Sequence, residues 1–118
     1  MPEHVVARVG DLEPGERRLV AVGRVRLGLF RIGDDYYALP NTCPHQLGPL
    51  AEGKIGGAIV ADAASDWQPD WRHDGEVIAC PWHGLEFRIT DGQCLAYPNV
   101  RLRQYAVKVE GDEIKVVL

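Results

Sequence analysis

Apolar and polar positions alternate with a period of two along most of the chain. Val25, Leu27 and Leu29 fall on one face of a run from Val25 to Ile32, and Leu85, Phe87 and Ile89 alternate with Glu86 and Arg88. Tyr105, Val107 and Val109 alternate with Ala106, Lys108 and Glu110, and Ile114, Val116 and Leu118 close the sequence. This period is that of half-buried antiparallel strands. Shorter strands are expected at Val5 to Val9, Arg18 to Val22 and Tyr36 to Leu39. Turn residues separate them at Glu13-Pro14-Gly15, Gly33-Asp34-Asp35, Thr90-Asp91-Gly92 and Gly111-Asp112, each carrying the glycine or aspartate that tight turns favour. No segment has the pattern of a three-turn helix; 11–13 or 62–72 are the places for a short one. Residues 40–57 hold three prolines and four glycines and read as a long irregular stretch. Such a stretch is usually functional, or is ordered by something other than backbone ladders.

With 118 residues, 46% hydrophobic and 25% charged, the chain is expected to be one all-β domain with a modest core. A net charge of −4 points away from nucleic acid, which selects basic surfaces. Arg17, Arg18, Arg24, Arg26 and Arg31 form a basic stretch, and Asp62, Asp66, Asp70, Asp74 and Glu76 surround Arg72 in an acidic one. Both read as solvated faces. The only serine, Ser65, has no nucleophile motif around it, and no glycine-rich phosphate loop occurs. No apolar run reaches the roughly 18 residues of a membrane span, and the first residues do not form a secretory leader. A cytoplasmic protein is therefore expected. Three cysteines are too few for a disulfide framework.

The chemistry is concentrated in two short boxes. Cys43-Pro44-His45 lies in the irregular stretch, and Cys80-Pro81-Trp82-His83-Gly84 follows 34 residues after it. Proline directly after each cysteine removes a ladder donor, so both boxes present side chains from loops. Two thiolates and two imidazoles can hold zinc tetrahedrally or a [2Fe–2S] cluster with cysteines on one iron and histidines on the other. In the second case charge decides the behaviour. A diferric core with two sulfides is dicationic; four thiolates make it a dianion, whereas two thiolates and two neutral imidazoles leave it neutral. A neutral cluster accepts an electron more readily.

The two boxes, Cys43-Pro-His45-Gln-Leu-Gly-Pro-Leu and Cys80-Pro-Trp-His83-Gly-Leu-Glu-Phe, resemble those of the Rieske iron–sulfur proteins. The likeness continues through Thr90-Asp-Gly-Gln, the proline of Ala96-Tyr97-Pro98-Asn99-Val100 and the final strands. It implies a Rieske-like antiparallel β-sandwich base from 1–40 and 95–118, with a small cluster-binding subdomain at 41–94. It implies that Cys43 and Cys80 bind the inner iron of one [2Fe–2S] cluster, that His45 and His83 bind the outer iron near solvent, and that the loop with Pro98 covers the cluster.

Three departures refine the resemblance. Family members of respiratory and photosynthetic complexes carry a disulfide at the positions of Gly48 and Trp82, and hydroxyl donors where this chain has Gly84-Leu85-Glu86-Phe87. Their absence implies a potential at the low end of the Rieske range, on the order of −150 mV. The chain is too short to include the mononuclear iron domain of the large oxygenases, and only His4 and His73 remain outside the boxes. The stretch between the boxes is longer than usual, and an insertion is expected near 57–75, carrying Trp67, Trp71 and His73.

By resemblance the chain is a Rieske-type ferredoxin, a monomeric carrier and not an enzyme. It would take electrons from an NAD(P)H-dependent flavin reductase and pass them to a terminal oxygenase. The alternatives are a small subunit of an assimilatory nitrite reductase and a zinc-stabilised interaction module. Cys94 is expected to be a small buried residue, Trp82 to shield one side of the cluster, and His4 and His73 to be exposed.

Overall fold

A computed structural model describes residues 2–42, 48–82 and 84–118. Among them the fold consists of nine strands and two short 3₁₀ turns, with no α-helix. The strands are β1 (Glu3–Arg8), β2 (Arg17–Val22), β3 (Val25–Ile32), β4 (Asp35–Pro40), β5 (Lys54–Val60), β6 (Asp70–Ala79), β7 (Glu86–Arg88), β8 (Ala106–Glu110) and β9 (Glu113–Val117). They form three antiparallel sheets, ordered β1-β9-β8, β2-β3-β4 and β5-β6-β7.

The β2-β3-β4 sheet is the middle layer. Leu27, Leu29 and Ala38 face the β1-β9-β8 sheet, where they meet Ala7, Ile114 and Val116. Phe30 and Leu39 point the other way, into a core built with Ile78, Phe87 and Ile89 of the third sheet and its following turn. Burial on both faces explains why β3 is buried without a break from Leu27 to Phe30. A half-buried strand, as the alternation of Val25, Leu27 and Leu29 suggested, would leave Phe30 in water. Burying that ring instead stabilises the fold by about 1.5–3 kcal/mol.

The second core exists because backbones approach closely at two glycines. A Cβ on Gly28 would come within 2.6 Å of the Ala51 Cβ, and one on Gly53 would lie 1.8 Å from the Ala79 carbonyl oxygen. The 3₁₀ turn Leu50–Glu52 therefore lies flat on β3 and against the end of β6, and Leu50 and Ala51 are wholly buried.

The stretch 40–57 is less irregular than its prolines and glycines imply. It contains that 3₁₀ turn, and β5 already begins at Lys54 and runs through Gly56 and Gly57. Residues 57–75 form the outer part of a β5–β6 hairpin. The expected helix within 62–72 is reduced to the turn Ala63–Ser65, where the Asp62 side chain accepts from Ala64 N at 3.0 Å and Ser65 N at 3.3 Å. Residues 11–13 are not helical. Register shifts between Gly56↔Val77 and Ala58↔Arg72, so 73–76 bulge from β6 with His73 and Gly75 at positive φ. The indole of Trp71 fills the space over Gly57, where a Cβ would lie 2.7 Å from the ring.

Candidate metal centre

Cys80 follows the last residue of β6 and is 2% exposed, a free thiol in the second core beside Leu50, Phe87 and Cys94. Its loop closes on itself: Cys80 N–H donates to the Leu85 carbonyl at 2.9 Å, and Gly84 N–H donates to the Cys80 carbonyl at 2.8 Å. Gly84 has φ of 69°, a left-handed conformation that glycine adopts without a Cβ clash. These bonds leave Pro81 and Trp82 projecting outward, with Trp82 57% exposed.

The first loop is held at its stem. Asn41 Oδ1 accepts from Ala51 N–H at 2.8 Å, and Asn41 Nδ2 donates to Glu52 Oε2 at 3.1 Å. The Asn41 N–H donates to the Arg26 carbonyl at 3.0 Å. One side chain thus joins the residues on either side of 42–50. Arg17 adds a second clamp, its guanidinium donating to the Gly53 carbonyl and, at 3.5 Å, to that of Glu52. Arg17 is therefore not part of a solvated basic face; nor is Arg31, which bonds the Leu12 carbonyl at 2.7 Å. Sequence reasoning missed Asn41, which reads there only as a residue that breaks strands.

The two loops meet at Gly48. A Cβ there would lie 2.9 Å from the Trp82 ring and 3.1 Å from Cys80 Sγ. The site is thus a cradle in which glycine leaves the space beside a buried thiol. A buried, unpaired sulfur with a bare backbone beside it fits a thiolate ligand to a metal cluster, because any larger residue at 48 would occupy the room next to the sulfur. Cys43, His45 and His83 lie outside the described residues. Cys94 is buried as expected, at 2% exposure. His4 and His73, expected to be exposed, are half-buried on β1 and β6.

Comparison with known proteins places this geometry. The family model of the Rieske [2Fe-2S] domain matches residues 3–106. The chain belongs to the Rieske [2Fe–2S] family. Ferredoxin CarAc of Metapseudomonas resinovorans is 33% identical over 113 residues, which is 94% of this chain and 89% of that protein. The ferredoxin component of biphenyl 2,3-dioxygenase from Rhodococcus jostii (strain RHA1) is 29% identical, with 92% and 86% covered. Apoptosis-inducing factor 3 of Homo sapiens is 30% identical, but this chain spans 16% of it. A solved complex of reduced oxygenase and oxidised ferredoxin in carbazole 1,9a-dioxygenase contains a chain 31% identical to this one. Its TM-score is 0.74, with 97% of this chain and 91% of that one covered.

The cofactor of this Rieske ferredoxin is one [2Fe–2S] cluster rather than zinc. The protein is an electron carrier and not itself an enzyme, and its all-β architecture is that of the family. Among the described residues, no helix is long and apolar enough to cross a membrane.

Proposed function

We propose that Cys43, His45, Cys80 and His83 hold the cluster, and that the carrier takes single electrons from an NAD(P)H-dependent flavin reductase and passes them to a terminal oxygenase. The observation that supports the ligand set is the buried Cys80 sulfur facing the bare backbone of Gly48, with Cys43 and His45 on the segment leading into that glycine. When bound, the cluster supplies one reversible electron. Cys80 is held as a ligand by the closed 80–85 loop, and the Asn41 and Arg17 clamps hold the stem of the first loop. Trp82 keeps water from one side of the sulfur. The single-domain organisation, with a base at 1–40 and 95–118 and a cluster-binding part at 41–94 carrying an insertion near 57–75, belongs to the same reading. So does a monomeric, cytoplasmic carrier.

Relatives named as ferredoxin components of dioxygenases favour this reading over a nitrite reductase subunit. The test is paramagnetic resonance of the dithionite-reduced protein with a redox titration. Mixed thiolate–imidazole ligation and a midpoint on the order of −150 mV are expected. His83→Ala should lose the cluster signal, and His73→Ala should keep it. A full cluster in His83→Ala would refute the ligand set.

A further inference from the structure

The side-chain amide of Gln93 donates into a ring of backbone carbonyls. Its Nε2 lies 3.1 Å from the oxygens of Cys94, Pro98 and Val100, and 3.4 Å from that of Tyr97. An amide nitrogen has two hydrogens, so four acceptors compete for them. Two of the four have other donors. The Cys94 N–H reaches the Val100 carbonyl at 3.0 Å, and the Val100 N–H reaches that of Tyr97 at 3.0 Å. Among the described residues, the carbonyls of Cys94 and Pro98 have Gln93 alone. Two hydrogens thus match two carbonyls that would otherwise lack a protein donor.

The backbone that carries this side chain is itself fixed. Gln93 N–H donates to Asp91 Oδ1 at 3.0 Å, and the Gln93 carbonyl accepts from Arg88 N–H at 2.9 Å. Gln93 also forms a β-bridge with Arg101. The amide is therefore a peg set in a rigid turn, and the segment 94–100 is folded around it. Ala96 to Asn99 are exposed, so that segment has little core of its own to order it.

The same segment is moored to the ligand loop. Leu95 N–H donates to the Glu86 carbonyl at 3.0 Å, one residue beyond Leu85, whose carbonyl closes the Cys80 loop. Cys94 and Leu102 share the second core with Cys80, and Val100 packs against it. We infer that Gln93 is a positioning residue for the metal centre. Its amide shapes the 94–100 segment into a wall alongside the Cys80 loop, and so sets how much water reaches the bound cluster. The inference rests on the ligand reading proposed above. Solvent access controls the dielectric around a metal site and with it the potential. Water favours the more negative, reduced state, so loosening the wall raises the potential.

The experiment compares holoprotein variants by redox titration, visible circular dichroism and the rate of iron loss to a chelator. In Gln93→Leu, the part-buried carbonyl of Cys94 and the exposed one of Pro98 lose their side-chain donor; iron should leave roughly tenfold faster, with a raised midpoint and an altered dichroism spectrum. Gln104→Leu is the control. Gln104 Nε2 makes the same kind of clamp, to the carbonyls of Ile89 at 3.3 Å and Thr90 at 2.7 Å, and its loss should leave the potential at the wild-type value. A wild-type potential and spectrum in Gln93→Leu, or equal shifts in both variants, would overturn the inference. Where Gln93→Leu does not load, Gln93→Asn keeps the amide one methylene short: a raised potential supports the role, and a wild-type one refutes it. Failure of the ligand reading is separate, because it would appear in the wild-type resonance spectrum.

Discussion

The indole of Trp82 rests on Gly48 across the gap between the two loops, so close that a Cβ at 48 would stand 2.9 Å from the ring. Residue 48 is therefore limited to glycine by a side chain 34 positions away in the chain. Gly48→Ala should push the indole outward and cost about 1–3 kcal/mol, as overpacking does. The double variant with Trp82→Ala should cost less than the sum of the two single changes, because the clash needs both partners. Thermal unfolding of the four proteins of this cycle checks the coupling; strict additivity would show that the contact is not made.

Asn41→Leu removes the side chain that accepts from Ala51 N–H at the other end of the first loop, at 2.8 Å. Ala51 is wholly buried, so its amide would lose a partner out of reach of water. A loss of about 1–3 kcal/mol is expected, together with lower iron content after expression. Iron and sulfide assays together with a melting curve measure both.

Cys80 and Cys94 are equally buried, at 2% each, and burial alone does not separate a ligand from a packing residue. Cys94→Ala should keep full iron and sulfide and lose roughly 1 kcal/mol to the smaller side chain. Cys80→Ala should lose the cluster. Metal analysis of the two variants decides the assignment, and depleted iron in Cys94→Ala would contradict it.

In the β5–β6 hairpin, the hydrogen-bonded guanidinium of Arg72 beside Asp62 holds the carboxyl well below its ordinary 3.8, at about 2. A carboxyl depressed by folding contributes stability that is fully present above its unfolded value. That contribution is lost as pH falls from about 3.8 toward 2. Arg72→Met should return the Asp62 titration to the ordinary range, measured by carbon NMR of the carboxyl. A midpoint unchanged by the substitution would remove the pair as its cause.

How much of this was legible beforehand differs from element to element. The strand at 25–32 was read with its observed limits, because alternation and turn residues are local signals. Its second buried face was not, because β3 packs on both sides only after the third sheet and the Leu50–Glu52 turn close over Phe30. The hairpin of β5 and β6 is not legible in the chain, since the bulge at 73–76 breaks the period of two.

The sequence by itself determined the donor chemistry proposed for the centre. Cysteine and histidine in two short boxes define a donor set whatever the fold, and proline after each cysteine already excludes a regular strand there. Tertiary structure alone decided which other residues serve that centre. Gly48, Gly53, Asn41 and Gln93 look like ordinary turn or loop residues in the chain. Their roles arise from the Trp82 ring, the Ala79 carbonyl, the Ala51 amide and the carbonyls of 94–100. Of these only the last are chain neighbours; the rest are brought close by the folding of the sheets, and local pattern carries no record of a distance across the fold.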